Sequence, residues 1–423
     1  MNFKLKLVQI WAVVLSSVLV SISGARAAEW KVEPSLYARG QYNDNVSSSV
    51  DSSNTEGSSA YTLGPRVKFA GDELNLWDVS VDTRGKITRF QSIEDADSEN
   101  IFFVFDGGRQ TELTNWRLNT SFERNSTFDT DFDTKTPDLG LSDRTERTSK
   151  SISPSVSWSM SETSQISLSF NTTEVSYDEV TSLNYRNYEN DSLNLSANWQ
   201  YAANHSIGFT SSYNEYESPD AGFFYDQSVL QLDYKYTINE LSNISLSVGS
   251  RSLDSLRLNG QIVACENPGE FEATGQCLFS NPILGDLENK EEGVVVNLVY
   301  GMQSETELHD FIVSRSVTPS SFGGAQETRS ATYRLNIKNT ERFSTNLVLA
   351  VTEIETIVGV DSSSDRLRYR IEPSIAYKLN KNWKLNASYS LVNQNISNSN
   401  EDSVSNIFYV SLLLHWPKLI TTY

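Results

Sequence analysis

The sequence predicts an all-β fold, a transmembrane antiparallel up-and-down β-barrel of about 18 strands with short periplasmic turns and longer extracellular loops. Three observations predict it. Apolar and polar residues alternate with a period of two along most of the chain, short connections alternate with long ones, and the tryptophans lie beside the short connections. Together these features are typical of barrels that cross an outer membrane with strands.

The alternation is clearest in residues 366–391. Leu367, Tyr369 and Ile371 lie on one parity, while Arg366, Arg368 and Arg370 lie on the other. A polar turn at 380–382 follows, and the pattern then restarts at Trp383. Such a segment is an antiparallel hairpin with one apolar and one wet face.

The chain begins with a segment that we exclude from the fold. Lys4 and Lys6 precede an apolar run from residue 7 to 20, and Ala25-Arg26-Ala27 ends it. This pattern predicts a secretory signal peptide over residues 1–27, because the run is short for a membrane anchor helix, the alternative interpretation. Residues 28–423 then form one barrel domain in the outer membrane of a Gram-negative cell.

The charge of the exported chain is strongly negative. Removal of Lys4, Lys6 and Arg26 without any acidic residue changes the formal charge from −20 to −23. Such acidity argues against nucleic acid as a partner. Cys265 and Cys277, the only cysteines, lie close together in a Pro/Gly/Asn-rich stretch and predict a local disulfide, with a metal pair as the less favoured alternative.

Alternating segments continue to the end of the chain. Polar loops separate them at one end, including the acidic loop 129–146 and the long loop 257–287, and turns of a few residues separate them at the other. A soluble sandwich would not sort turns and loops by side. The predicted strands cover residues 30–42, 61–69, 77–90, 101–111, 116–128, 152–160, 165–177, 188–201, 205–217, 230–236, 244–248, 294–300, 308–317, 329–338, 343–354, 366–379, 383–391 and 404–416.

An aromatic girdle is predicted at the periplasmic boundary of the outer-membrane lipid. All seven tryptophans beyond the signal peptide lie near a short turn or a chain end, where amphipathic rings prefer the lipid–water interface. They are Trp30, Trp77, Trp116, Trp158, Trp199, Trp383 and Trp416. Strands of about 12 to 16 residues exceed the 9–11 that cross a bilayer, so the wall should rise above the outer surface.

The wet parity indicates how the lumen is lined. Serines at alternate positions from 151 to 159 should face water, since a dry core would leave hydroxyl groups without partners. A basic ladder is expected in the lumen, with Arg109 and Arg117 on the opposite wall. The ladder residues are Arg334, Lys338, Arg366, Arg368 and Arg370. Guanidinium groups there would guide an anionic solute, or would only brace the wall by pairing with Glu372 and other acids. On the adjacent strand, Leu349 rather than Val348 should face lipid.

The last strand carries an apolar face that the barrel-assembly machinery should recognise. Its residues are Phe408, Val410, Leu412, Leu414 and Trp416, and residues 417–423 extend past it. Catalysis is not expected. His205 and His309 lie beside short turns, His415 precedes Trp416, and no metal cluster, cofactor motif or nucleophile elbow is present. The acidic loops 129–146 and 266–288 could bridge divalent ions, although solvated loops are the simpler interpretation.

Several short motifs taken together resemble one family. The motifs are the signal peptide, Tyr42-Asn43-Asp44-Asn45-Val46 after the first strand, residues 314–320 before a glycine pair, and residues 412–417. In this order they resemble the outer-membrane β-barrel porins encoded with exopolysaccharide and capsule biosynthesis systems. The resemblance implies export of a secreted polysaccharide together with a polysaccharide export protein.

Two other functions remain open at this stage. The first is a general or substrate-specific uptake porin, which a loop folded inward to make a constriction would favour. Residues 257–287 and 129–146 are long enough for such a loop. The second is a plugged structural barrel or surface adhesin.

Overall fold

The computed structural model describes residues 29–46, 55–73, 76–93, 96–127, 145–178, 185–265, 282–320, 323–358, 365–396, 402–416 and 419–422, with backbone only for 258–265, 282–287 and 420–422. The predicted signal peptide and Cys277 lie outside these ranges, as does most of the acidic loop 129–146. The signal peptide and the disulfide therefore stay predictions. Among the described residues, no helix is both long and apolar enough to cross a bilayer.

The described chain is almost entirely β-strand, and Pro219–Ala221 form a 3-10 turn between two strands. The strands are β1 (Glu29–Asn43), β2 (Ser58–Glu73), β3 (Trp77–Phe90), β4 (Ser98–Gln110), β5 (Thr114–Ser126), β6 (Glu146–Ser159), β7 (Ser164–Tyr177), β8 (Tyr188–Ala202), β9 (His205–Ser218), β10 (Phe223–Asn239), β11 (Ser242–Cys265), β12 (Pro282–Gln303), β13 (Glu307–Ser320), β14 (Gly324–Lys338), β15 (Phe343–Val358), β16 (Arg366–Lys378), β17 (Trp383–Ile396), β18 (Asp402–His415) and β19 (Leu419–Thr422).

The sheet closes on itself, which confirms the predicted antiparallel up-and-down barrel of 18 strands. Each strand from β1 to β18 pairs with its neighbours in sequence, and β18 returns to pair with β1. Below the extracellular mouth, closure leaves no edge strand, so the backbone N–H and C=O groups of the wall pair within the sheet.

The seam between the first and last strands brings the two chain ends together. β1 and β18 pair from Ser35–His415 to Asn43–Ile407, and β19 continues this ladder against Glu29–Val32 with the register changed by one residue. The segment past the predicted last strand therefore extends the seam. The five apolar residues of the predicted assembly strand lie on one face here, with Leu412 opposite Ala38 and Phe408 opposite Tyr42.

A band of exposed apolar residues encircles the outside of the barrel. On three strands it comprises five successive outward-facing residues, which span nine residues of strand and match the length that crosses a bilayer. These residues are Leu230, Leu232, Tyr234, Tyr236 and Ile238 on β10, Leu193, Leu195, Ala197, Trp199 and Tyr201 on β8, and Val294, Val296, Leu298, Tyr300 and Met302 on β12. So much exposed apolar surface needs lipid to cover it.

The outward face becomes charged beyond this band, toward the long connections. Glu189 and Asp191 precede the band on β8, and Lys290 and Glu292 precede it on β12. Charged side chains there cannot face acyl chains without a large cost. The wall therefore rises above the membrane on the extracellular side.

The seven tryptophans lie at the other end of the strands. All seven share the outward parity, as shown by pairs such as Trp116 with Arg109 and Trp383 with Leu414. Trp30 stacks on Phe69 with ring centroids 5.0 Å apart and lies 5.7 Å from Trp77. This position suits the predicted girdle, whose contact with lipid stays a prediction.

The facing of β15 can be tested by a pair of matched substitutions. Leu349 lies between Tyr333 and Ile371 on the outer face, whereas Val348 lies between Arg334 and Glu372 on the inner face. Leu349→Asp should lower the free energy of unfolding in detergent by about 1–2 kcal/mol, since it places a charge in the lipid-facing band. Val348→Asp places its charge in the polar lumen between Arg334 and Glu372, and it should lower the free energy of unfolding less than Leu349→Asp does. A heat-modifiable gel shift and urea unfolding measure both effects, and a greater loss for Val348→Asp would reverse the assigned faces.

Candidate functional site

The inner face of the barrel is polar and is divided into two walls of different chemistry. Inward-facing residues of β5–β9 are mainly serine, threonine and asparagine, as in the row Ser151, Ser153, Ser155 and Ser157. Asn171 accepts a hydrogen bond from Ser151 at 2.8 Å and one from Ser153 at 2.5 Å. We call this side the hydroxyl wall, because its side chains offer hydrogen bonds and little charge.

The facing side, formed by β14–β18 and β1–β3, is rich in cations, and we call it the basic wall. Register pairs place its basic side chains on the inner parity, and acids on the same parity are fewer. The bases are Lys31, Arg39, Arg66, Lys68, Arg84, Lys86, Arg334, Lys338, Arg366, Arg368, Arg370, Lys378 and Lys384, and the acids are Glu29, Glu33, Asp72, Asp78, Asp82 and Glu372. The wall is thus net positive in an acidic chain.

The five predicted ladder residues all lie on this wall. Arg366, Arg368 and Arg370 follow one another up β16, with Arg366 and Arg368 almost fully buried. Arg370 donates from Nε to Oε2 of Glu372 at 3.0 Å. This ion pair is the kind of contact within the wall that the alternative interpretation of the ladder describes. Arg334 and Lys338 continue the row toward the periplasm on β14.

Other lumen arginines stack on aromatic rings. The Arg39 guanidinium lies 5.1 Å from the Tyr409 ring centroid, and that of Arg84 lies 5.3 Å from the Phe102 centroid. Tyr409 in turn donates its hydroxyl to Glu372 at 3.1 Å. Cation–π contacts of this kind hold a guanidinium in place without neutralising its charge.

One of the two arginines expected on the opposite wall was misplaced. Arg117 faces the lumen and donates to Asp78 at 2.9 Å. Arg109 instead pairs with Trp77 and Trp116 on the outer face, near the periplasmic end, so its prediction as a lumen residue was wrong. The adjacent residues 102–105 are apolar on both parities, which hides the facing of β4 in the sequence.

The motif Tyr42-Asn43-Asp44-Asn45-Val46 fastens the extracellular end of the seam. Asp44 accepts hydrogen bonds from the backbone N–H and the side-chain amide of Asn406, both at 2.7 Å. Asn45 donates to the carbonyl of Val404 at 3.0 Å, and Ser405 donates to Asn43 at 2.8 Å. Side chains therefore continue the junction of β1 and β18 where the backbone ladder ends.

Three strand ends leave the wall at the extracellular mouth and fold inward. The β12–β13 ladder ends at Val296–Arg315, and the β15–β16 ladder ends at Ile354–Arg366. Residues 316–320, 324–328 and 355–358 remain paired with one another above those points. We call this three-stranded unit the tongue.

The tongue packs against the inner face of β7–β11. Tyr216, which faces inward on β9, donates its hydroxyl to the carbonyl of Ser320 at 3.2 Å. Ala325 is fully buried among inward-facing residues of β7–β11 that we call the tyrosine shelf. The shelf comprises Tyr177, Tyr188, Tyr216, Tyr225 and Leu253. The shelf rings stack, with Tyr216 and Tyr225 centroids 4.8 Å apart.

A buried charge cluster joins the tongue to the wall. Glu327, only 2% exposed, accepts hydrogen bonds from Arg251 at 2.7 Å, from Arg315 at 2.9 Å and from Arg329 at 2.7 Å. Arg251 lies on the inner face of β11, is 1% exposed, and also contacts Glu291 at 2.9 Å. We call these residues the Glu327 cluster.

The sequence did not reveal the tongue. Residues 129–146 and 257–287, the two segments proposed as an inward constriction, lie largely outside the described side chains. The tongue instead includes residues 316–320, part of the stretch singled out in the family resemblance. Charged residues on the outward parity, among them Arg315, Glu327 and Arg329, mark the tongue in the sequence, but other strands carry such charges above the membrane as well.

His205 and His309 lie among aromatic side chains at the periplasmic end of the barrel. His205 stacks on Tyr236 with centroids 4.6 Å apart, and its Nδ1 lies 2.8 Å from the Tyr234 hydroxyl. His309 similarly contacts the hydroxyl of Tyr333 at 2.9 Å. Within the described part of the chain, no group of three or more metal-ligating side chains comes together.

Comparisons with known proteins identify only similar folds. The chain matches no protein-family model and no curated protein. Among solved structures it is similar to OccAB3 of Acinetobacter baumannii, with a TM-score of 0.47 and 12% identity over 92% of this chain and 99% of that one. It is also similar to OpdK of Pseudomonas aeruginosa, with a TM-score of 0.44 and 11% identity over 91% and 99% of the two chains.

A third similar structure is the alcaligin outer membrane receptor FauA of Bordetella pertussis, with a TM-score of 0.43 and 9% identity over 90% of this chain and 76% of that one. None of these matches ties the chain to exopolysaccharide or capsule export. The secreted polysaccharide and the export protein therefore stay predicted partners. The closed sheet, the apolar outer band and the polar lumen make the chain an outer-membrane β-barrel.

The seam motif can be tested with one substitution and a matched control. Asp44→Ala removes the carboxylate that accepts two hydrogen bonds from Asn406 and should lower the free energy of unfolding by about 1–2 kcal/mol, because Asp44 is only partly buried. Asp254→Ala removes an exposed carboxylate 3.8 Å from Lys290 and should change stability little. Urea unfolding in detergent compares the two, and equal effects would show that the motif does not hold the seam.

Proposed function

We propose that the protein is an outer-membrane channel for the uptake of small anionic solutes. The observation that carries the proposal is the pairing of a net positive wall with a hydroxyl wall across one lumen. The first would concentrate anions, and the second would replace part of their hydration with hydrogen bonds.

The magnitude of the electrostatic effect supports a preference for anions rather than a complete exclusion of cations. One unit charge about 10 Å from an ion in water contributes about 0.4 kcal/mol, which changes the local ion concentration about twofold. Several arginines along β16 and the neighbouring strands would act together on a solute that passes them. Glu372 accepts a hydrogen bond from Arg370, so part of the Arg370 charge is neutralised within the wall.

The tongue favours uptake of small solutes over the export of a polymer. A polysaccharide chain would need a wide, continuous passage from the periplasm to the outside. The tongue lies against the inner wall at the extracellular mouth and takes up part of that passage. The uptake alternative therefore fits the geometry better than the export role that the family resemblance implies, and a plugged barrel would need the rest of the mouth to be filled as well.

Ion selectivity in planar bilayers tests the proposal. The unmodified protein should conduct and prefer anions in a salt gradient. Arg366→Ser, Arg368→Ser and Arg370→Ser combined should lower the anion-to-cation permeability ratio about twofold or more, since three positive charges leave the lumen. Gel-shift analysis would first establish that the variant folds.

The matched control removes three arginines from the outer face. Arg89, Arg109 and Arg124 replaced together by Ser should leave the permeability ratio unchanged, because their side chains lie outside the barrel. An unchanged ratio in the β16 variant would exclude the ladder from selectivity. Loss of surface polysaccharide on deletion of the gene, without a defect in anion uptake, would instead favour export.

A further inference from the structure

We propose that the tongue is a movable gate, shut in this structure, which the Glu327 cluster holds against the tyrosine shelf. The inference rests on the proposed channel function and goes beyond it, since it assigns a device that controls the extracellular mouth. Release of Glu327 from Arg251 would free the tongue from the inner wall and widen the lumen there.

The first observation behind the gate is the way the tongue joins the barrel. Its two outer strands have no ladder partner in the wall above Arg315 and Ile354, because the ladders with β12 and β16 end at those residues. Its three strands stay paired with each other up to Ser320–Gly324 and Ala325–Val358. The tongue can therefore move as one unit about these two points without breaking the ladders of the barrel below.

The second observation is that the two faces of the tongue differ. Val317, Ala325 and Glu327 share the parity that faces lipid lower on β13 and β14, yet here they contact the shelf and Arg251. The opposite parity carries Ser316, Thr318 and Thr328. This arrangement fits the outward-parity face of the tongue to the inner wall.

The third observation is the tight contact at the tip. Gly323 has φ of +79°, a conformation that favours glycine. A Cβ on Gly323 would lie 2.5 Å from the Cβ of Ala221, in the 3-10 turn between β9 and β10. The tip thus contacts the turn between β9 and β10, three strands from β13 around the barrel.

The contacts of the Glu327 cluster stabilise the tongue against the inner wall. Gly293 on β12 leaves room for Arg251, since a Cβ there would lie 2.7 Å from the guanidinium. Arg329 also donates to Glu353 and Glu355, each at 3.0 Å, which connects β15 to the central strand of the tongue. Removal of the Glu327 charge would leave Arg251 buried beside Glu291 alone, an arrangement that disfavours the shut position.

The Glu327 carboxyl lies above the apolar band and stays charged at neutral pH. Burial raises its pKa, but hydrogen bonds from Arg315, Arg251 and Arg329 outweigh burial and hold the pKa below the ordinary 4.5. Its contribution to the shut position is therefore present at neutral pH and is lost only as pH falls through that lowered pKa. Glu291 faces Arg251, and Glu353 and Glu355 face Arg329.

Thiol labelling under the tongue measures opening directly. Leu253 is fully buried beneath the tongue, so Leu253→Cys in a Cys265→Ser/Cys277→Ser background reports access of an aqueous maleimide to the shelf. Labelling should be slow in this background. Glu327→Gln should speed it at least tenfold, which corresponds to about 1.4 kcal/mol, and should raise single-channel conductance or open probability.

Two further variants separate the gate from general damage. Ala325→Asp disrupts the contact of the tongue with the shelf without changing the Glu327 cluster, and it should speed labelling in the same way. Glu292→Gln, an exposed carboxylate on the outer face of β12, should change neither readout. Gel-shift analysis would show that each variant forms the barrel.

The outcomes separate failure of the gate proposal from failure of the proposed channel function. If neither Glu327→Gln nor Ala325→Asp speeds the labelling of Leu253→Cys, the gate is overturned, even if the protein conducts anions. Faster labelling in a protein that never conducts would support a movable tongue and contradict the channel.

Discussion

The need to pair every backbone polar group within the bilayer controls this structure. A sheet can meet it only by closing, and closure here depends on the meeting of the first and last strands. Nine register pairs join β1 and β18, β19 extends the junction at the periplasmic end, and Asp44 and Asn45 extend it at the other. The chain ends are therefore part of the wall, and the other features depend on the closed cylinder they complete.

Closure gives each parity a fixed environment. Outward residues form an apolar band with charged residues above it, and inward residues form the basic and hydroxyl walls. Because the strands exceed the width of the band, the barrel gains a rim in water, where strand ends can leave the wall. The tongue is formed by three such strand ends. Its outward-parity Glu327 meets Arg251 of the inner face, a contact that no membrane-embedded part of a strand could make.

The sequence predicted the features that follow from local alternation. The barrel class, the strand number, the rise above the membrane and the inner position of Arg366, Arg368 and Arg370 all rest on period two and on the order of turns and loops. The prediction that Arg109 faces the lumen was wrong because residues 102–105 are apolar on both parities and Gly107 and Gly108 follow them. The tongue could not be predicted from the sequence. Arg251 and Glu327, which hold it, are 76 positions apart in the chain. Their parity also does not reveal where the ladder between β12 and β13 ends.

The central claim is that alternate side chains of each strand face lipid and a water-filled interior. A nitroxide scan of residues 229–237 on β10 in lipid vesicles tests it most directly, by comparing accessibility to oxygen with accessibility to a water-soluble nickel complex. The structure predicts oxygen maxima at Leu230, Leu232, Tyr234 and Tyr236 and nickel maxima at Gln231, Asp233 and Lys235. Equal accessibility at neighbouring positions, or maxima with a helical period, would contradict the barrel and every function derived from its lumen.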